Sequence, residues 1–334
     1  MKYTLFVPGL TWLDSDAGPE LCKDLSLPAL STLLGRGQWR SEPLSASEML
    51  CRTFGLPQPA LAANLAHAAG LPPAASWLIA DPVNLRVDRD RALLGDIGIM
   101  NLAQDETAEL LASLNAFFAE DGLVFHAPTP ARWFVALPQA SGAEFSALPD
   151  VIGEDINHHL PKGANGMRWS RFLNELQMLL YTHPVNEARE ARGEPTVNSL
   201  WFWGEASQPQ PLVSAYPAVH SHDPLWQQLA QQAGVAGDSP SYAFALVEGG
   251  GDVLIHLDAA EGAAQFRDVW GWREGLLQLE RDWFAPTLAA LQQGRLSEVQ
   301  LCCHGSAGLH SRTTRLDLWK LWRRPLPLSK LYPQ

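Results

Sequence analysis

Cysteine is scarce in this chain, and what there is lacks the spacing of a cysteine motif. Four cysteines stand in 334 residues; Cys22 and Cys51 are isolated, and Cys302 and Cys303 are adjacent. None forms a C-x-x-C pair, which leaves a zinc ribbon and a disulfide-exchange motif unsupported and makes buried thiols the expectation. Basic charge is short as well: 24 Lys and Arg face 36 Asp and Glu, a formal net charge of -12. Nucleic acid is therefore not expected as a partner, because displacing its counterions needs a basic surface. The run K-L-W-R-R from Lys320 to Arg324 is a local exception, too short to reverse the balance. Long apolar runs are missing: no window approaches the roughly 18 residues of a membrane span, so no membrane is expected either. The N-terminal M-K-Y-T-L-F-V-P-G-L has a short apolar stretch and no small-residue cleavage site, unlike a signal peptide. These absences point to a cytoplasmic protein. Internal repeats and long low-complexity tracts are also lacking.

What is present is ordinary globular material, 46% hydrophobic and 18% charged. The length suffices for one large core or two modest domains. Tyr3–Val7 reads as a central strand ending at Pro8-Gly9. A helix follows over Leu27–Gly35. Ser45 or Ser47 is placed to cap a helix running to Phe54, and Ser45 with Glu48 matches a capping box. Further helices are expected over Pro59–Gly70, Asn101–Phe118 and Pro224–Gly234, and over Gln265–Gln293 with a break near Pro286. Trp77–Asp81, Leu123–His126, Arg132–Leu137, Tyr242–Glu248, Asp252–Asp258 and Glu298–Cys303 read as strands, and Leu85–Arg91 as a surface strand. The charge run Asp88–Arg91 fits a solvated face, and Gly249-Gly250-Gly251 a turn. Strands alternating with helices argue an open α/β sheet. The helix–strand–strand order inside 86–165 argues a small α+β insert in a discontinuous core of 1–85 and 166–334.

The most informative stretch is Trp169–Gly204. Phe172, Leu173, Leu176, Leu179 and Leu180 recur at helical spacing, and Pro184 ends that helix before His183. A second short helix is expected from Asn186, as its cap, to about Arg192, with Gly193 as its stop. Val197–Trp203 then suits a buried strand. Polar side chains gather at the joints: His183, Asn186, Arg189, Arg192 and Asn198. Taken singly, each has a plain structural reading as a cap or a solvated residue. Taken together they are candidates for holding an anion, since arginine forks suit phosphate and carboxylate.

The pattern H-P-V-N-x-x-R-x-x-x-G-x-x-x-x-N-x-x-W-x-W-G resembles the corresponding segment of the archaeal-type cofactor-independent phosphoglycerate mutases of the alkaline phosphatase superfamily. With the preceding W-x-x-F-L-N-E-x-Q-M-L-L it is closer still to a bacterial offshoot, the RpfE-type regulatory proteins. The resemblance implies an alkaline-phosphatase-like fold: an open, mostly parallel sheet with helices on both faces and the inserted subdomain. In that family two divalent metals activate a serine nucleophile. Here the first-strand Asp of the family is replaced by Pro8. The serine position falls on Ala46, with Ser45 and Ser47 beside it as weak nucleophile candidates. The D-x-x-x-H motif keeps Asp258 but has Gly262 in place of its histidine. The Asp-His pair after the last strand reads Cys303-His304, and His310 stands for a final histidine. Asp258, His304 and His310 are thus the remaining metal candidates, and one transition metal on Cys303, His304 and His310 is a reduced alternative.

Three functional readings follow. In the first the chain is a non-catalytic descendant with regulatory output, no cofactor, and a small phosphorylated or carboxylated metabolite held by Arg189, Arg192 and Asn198. In the second it is an active mutase or phosphatase using Mn, Zn or Mg. A third reading, a purely structural or interaction protein with a protein partner and no ligand, draws on the thirteen tryptophans, since aromatics are enriched at interfaces.

Overall fold

The computed structural model describes residues 1–14, 16–88, 91–95, 100–241, 243–245, 251–305 and 307–332. Its strands are β1 (Lys2–Phe6), β2 (Gln38–Ser41), β3 (Ser76–Asp88), β4 (Arg91–Gly95), β5 (Val124–Thr129), β6 (Arg132–Leu137), β7 (Ser199–Ala206), β8 (Ala218–His220), β9 (Asp252–His256), β10 (Glu298–Cys303) and β11 (Leu309–Thr314). Its α-helices are α1 (Gly18–Leu21), α2 (Pro28–Arg36), α3 (Ala46–Phe54), α4 (Ala62–Ala68), α5 (Gln104–Phe117), α6 (Gly166–Tyr181), α7 (Pro184–Ala191), α8 (Pro224–Gln232), α9 (Glu261–Gln265), α10 (Val269–Leu279) and α11 (Ala285–Gln292).

The chain divides into two compact units, Met1–Pro57 with Leu212–Gln334, and Gln58–Pro211. The inserted unit is therefore larger than the 86–165 read from sequence. The reason is pairing: β7 lies antiparallel along β3, matching Ile79 to Trp203 and Val83 to Ser199, so both strands belong to the insert.

The first unit holds a six-stranded sheet in the order β2-β11-β10-β1-β9-β8. β1 sits between β10 and β9 and runs parallel to both, β8 is parallel to β9, and β11 and β2 complete the sheet antiparallel. Alternation along the central strand sends Tyr3, Leu5 and Val7 to one face, into a core with Leu30, Leu33, Trp272 and Phe284 from the helices. Phe6 points the other way, onto Trp226 of α8, which in turn meets Phe54 of α3. Helices thus cover both faces, as an α/β reading requires.

The expected break near Pro286 takes a specific form. Between α10 and α11 the helix widens into a π turn over Glu280–Phe284. Proline has no N–H to give to the carbonyl four residues back, which is that of Asp282. That carbonyl instead accepts from the backbone N–H of Phe244 at 2.8 Å.

The second unit is antiparallel: β3 pairs with β4, β6 and β7, and β5 with β6. Its own core joins Leu110, Leu114, Trp133, Leu176, Leu200 and Phe202 from α5, α6 and the sheet. The two strands expected at Trp77–Asp81 and Leu85–Arg91 are one strand, β3, as far as Asp88. Pro82 lies inside this strand, opposite Leu200 of β7 and beyond the reach of β6, which pairs with Ser76–Ile79. The expected strand Tyr242–Glu248, the turn at 249–251 and the charge run at 88–91 fall largely outside the described residues.

Candidate functional site

The densest motif of the sequence folds into an internal polar network of the second unit. α7 starts two residues earlier than expected, with His183 as its cap and Pro184 at its first position. Proline favours that position because its missing N–H is unpaired there in any case. The His183 Nδ1 accepts from the Val185 N–H at 3.2 Å, and its Nε2 meets the Ser113 hydroxyl at 2.9 Å. Burial holds this imidazole below its ordinary pKa, against a smaller upward pull from Glu109.

Asn186 is therefore not the cap. Its amide donates to the carbonyls of Leu180 and Val197 and accepts from the Val197 N–H, tying the helix joint to the chain that enters β7. Asn198 does the same for β3, exchanging both hydrogen bonds with the backbone of Leu85.

The two arginines meet one carboxylate. Arg189, 1% exposed at its side chain, reaches Glu106 at 2.5 Å; Arg192 reaches the other oxygen of Glu106 at 2.6 Å and Glu194 at 2.8 Å. Arg189 also donates to the carbonyls of Pro195 and Met100. The carboxylate of Glu106 accepts in addition from the N–H of Ala103 at the start of α5. The five residues singled out in the sequence thus lie in one neighbourhood, as their spacing suggests. The described polar contacts of these residues go to protein partners, which makes them a structural clasp.

An open cleft of about 390 Å³ lies elsewhere in the same unit, along the first half of α6. Trp169, Phe172 and Leu137 give it an apolar floor, and Arg168, Arg171 and Glu175 stand at it. Arg168 lies 3.9 Å from Asp121, and Arg171 makes no ion pair among the described residues. Trp169, Phe172 and Glu175 belong to the W-x-x-F-L-N-E segment, so the residues were in view in the sequence, but the cleft they form with the chain at 137–141 was not.

In the first unit, the chemistry expected of the resemblance belongs at the carboxyl ends of β1, β9 and β10, the usual ligand position of a parallel sheet. β1 ends in Pro8-Gly9. Gly9 has φ +70°, and a Cβ there would meet the backbone of Ala260 and Glu261 at 2.8 Å, so the turn and the β9 end are pressed together. β9 ends in His256, whose ring stacks on Phe6 at 5.1 Å, lies 4.9 Å from Trp226, and bonds the Ser221 hydroxyl at 2.8 Å. Burial pushes the His256 imidazole below its ordinary pKa, opposed by the nearby carboxylates of Glu261, Asp223 and Asp258. Ser221 and His256 are 0% and 3% exposed, so their pairing is out of reach of a substrate.

After β10 comes His304, near the Phe6 ring, with its Nε2 buried, without a hydrogen bond, and 3.8 Å from Glu261. Glu261 is a residue that sequence reasoning missed, although it adjoins Gly262 in the incomplete D-x-x-x-H motif. Asp258 is half-buried at the end of β9.

His310 is not with these groups. It sits on β11 opposite Cys302, its Nε2 3.2 Å from Gln300, beside a 190 Å³ cavity that also touches Arg40, Glu42, Arg52 and Tyr216. Because neighbours on a strand face opposite ways, Cys303 points to the other side of the sheet from His310. The three-ligand set of Cys303, His304 and His310 therefore does not converge. Burial raises the Cys302 thiol to about 12 and the Cys303 thiol to about 11, which disfavours the thiolate a metal needs. Among the described residues no group of three or more His, Cys, Asp or Glu is arranged to hold a metal ion.

Both serine candidates stand at the start of α3. Ser45 caps α3, accepting from the Glu48 N–H at 3.2 Å while the Glu48 carboxylate takes the Ser45 N–H at 2.7 Å. Ser47 is buried and its hydroxyl lies 3.0 Å from that of Ser45.

No protein-family model matches the chain. A stretch of 138 residues, 40% of the chain, is 28% identical to the 2,3-bisphosphoglycerate-independent phosphoglycerate mutase of Methanosarcina mazei and spans 35% of it. A stretch of 129 residues is 26% identical to the probable enzyme of the same name in Geobacter sulfurreducens and spans 32% of it. The matched stretch is thus only about a third of the length of these curated relatives. Among solved structures, a cofactor-independent phosphoglycerate mutase from Thermoplasma acidophilum aligns with 99% of this chain and 94% of its own, at 13% identity and a TM-score of 0.45. Over about two fifths of its length, the chain is related in sequence to the 2,3-bisphosphoglycerate-independent phosphoglycerate mutases.

Proposed function

We propose that this chain is a non-catalytic relative of those mutases, with its two-metal phosphoryl-transfer centre lost and a regulatory or ligand-binding role in its place. The observation that carries this reading is the donor set at the three central strand ends: a proline after β1, a single aspartate after β9, and after β10 a histidine whose nearest acid is Glu261 at 3.8 Å. Two cations so close together need several carboxylates to offset their charge, and these positions do not supply them. The capping role of Ser45 supports the same reading, because its hydroxyl is occupied by the helix start. The regulatory part rests on the resemblance of Trp169–Leu180 to the RpfE-type proteins. A small carboxylated or phosphorylated metabolite would meet the less committed guanidinium of Arg171 in the α6 cleft, whereas Arg189 and Arg192 are held by Glu106.

One observation favours the alternative of a metal-dependent enzyme. His304 Nε2 is buried without a hydrogen bond and faces Glu261, a pair that one divalent cation could bridge. Elemental analysis of purified chain after incubation with manganese separates the readings. The non-catalytic reading expects no stoichiometric metal and no turnover of 3-phosphoglycerate or aryl phosphates. Two ions per chain together with turnover would overturn it. Thermal shift against 3-phosphoglycerate and other small anions tests the ligand part, which expects stabilisation that Arg171→Ala abolishes.

A further inference from the structure

The segment after β11 presents its apolar side chains to water on a backbone that is firmly held. Leu316, Trp319, Leu321 and Trp322 are 78%, 72%, 71% and 78% exposed. Yet the Asp317 carboxylate accepts from the Thr314 N–H and hydroxyl, Arg36 donates to the Leu318 carbonyl, and Arg323 donates to the carbonyls of Arg36 and Gly37. Lys320 pairs with Asp317, and the Leu326 N–H bonds the Ser31 carbonyl. Displaying four large apolar groups on an ordered turn costs solubility and gives nothing to the core, so it calls for an occupant.

Charge and composition narrow that occupant. Residues 315–324 carry Arg315, Lys320, Arg323 and Arg324 against the single Asp317, in a chain whose net charge is -12. Arg315 and Arg324 make no ion pair among the described residues. Two patches of this kind face to face would repel, which disfavours a symmetric contact between copies. Two tryptophans at roughly 150–250 Å² each, with two leucines, make a patch of a few hundred Å². Tryptophan and leucine beside Lys and Arg is the composition that settles at the boundary of lipid headgroups and acyl chains.

We propose that Leu316–Arg324 is a peripheral anchoring segment for an anionic lipid surface. Trp319, Leu321, Trp322 and Leu316 enter the interfacial layer, and Arg315 and Arg324 face lipid phosphates. The sequence expectation of no membrane concerned spans, and among the described residues no helix is long and apolar enough to cross one. Surface anchoring is a separate matter. The acidic remainder of the chain is screened beyond a Debye length of about 8 Å at physiological salt, so it weakens the contact without forbidding it.

The test is flotation of the full chain with phosphatidylcholine vesicles containing or lacking phosphatidylglycerol, near physiological salt. Wild type is expected to float with the anionic vesicles. The double variant Trp319→Ser with Trp322→Ser should lose at least tenfold in partitioning while keeping its circular dichroism and melting temperature. Arg315→Glu with Arg324→Glu should remove the preference for phosphatidylglycerol. Wild type that stays with the soluble fraction, or a tryptophan variant that floats equally well, overturns the proposal. So does a concentration-dependent oligomer of wild type that the tryptophan variant abolishes, which would assign the patch to a contact between copies.

Discussion

Arg189 and Arg192 share Glu106 and differ in burial, and that difference sets what each contributes. The Arg189 side chain is 1% exposed, that of Arg192 48%. Deleting Arg189 leaves Glu106 to Arg192 and strips the Met100 and Pro195 carbonyls of their donor, at a cost of about 1–3 kcal/mol for each buried group left unsatisfied; an exposed ion pair contributes little. Urea unfolding of Arg189→Ala should therefore show a loss of about 3 kcal/mol, and of Arg192→Ala a clearly smaller one. Equal losses would refute the clasp as described. His256 sets a pH dependence. Its folded pKa is depressed by burial, so below an unfolded value near 6.5 the unfolded chain takes up a proton that the folded one refuses. Its effect on stability is absent above pH ~6.5 and destabilising below it, growing as pH falls toward the folded pKa. His183 has the same sign. The melting temperature should drop between pH 7.5 and 5.5, and His256→Gln should flatten that drop. An unchanged slope in the variant would remove His256 from the account.

At the scale of elements, α3 tests the reading of Ser45. A capping serine replaced by alanine loses roughly 1 kcal/mol of stability, with no catalytic consequence to find. Ser45→Ala should thus melt at a lower temperature, while any phosphatase background in the preparation stays unchanged; a background that vanishes with Ser45 would mark it as a nucleophile. This cap was legible in the sequence because it is local: Ser45 and Glu48 are three residues apart, and each bonds the other's backbone. The start of α7 was misread by the same local logic. Asn186 is a good cap in isolation, but its amide is claimed by Val197, eleven residues on, and His183 takes the cap instead. The fate of Arg189 was not legible, since its acid lies 83 residues away on another helix. Asp81-Pro82 looks like a strand exit from sequence alone, whereas the pairing with β7 carries β3 through it, with Pro82 opposite Leu200. The missing donors, by contrast, were plain: a proline after the first strand and a glycine at position 262 stay poor ligands whatever the fold does around them.

At the scale of the whole chain, the second unit has a core of its own, drawn from Leu78–Phe202. The entry and exit of the inserted unit are also tied to each other. The Asn64 side chain bonds both the N–H and the carbonyl of Gln210, at 2.8 and 2.7 Å, and a Cβ on Gly204 would lie 3.2 Å from the Pro59 carbonyl. A unit whose ends meet, and which encloses its own core, should need nothing from the flanking chain to fold. At about 150 residues it buries close to 70% of the surface its unfolded chain exposes, enough for independent stability. Residues 58–211 expressed alone should therefore give one cooperative melting transition and a dispersed amide NMR spectrum, with Arg189→Ala lowering the transition as in the full chain. The same fragment should keep the thermal response to small anions if the α6 cleft is the ligand site, because Arg171 and its neighbours all lie within it. A fragment that binds hydrophobic dye and melts without a transition would show that the insert depends on the first unit. A folded fragment blind to every anion that stabilises the full chain would move the ligand out of the cleft.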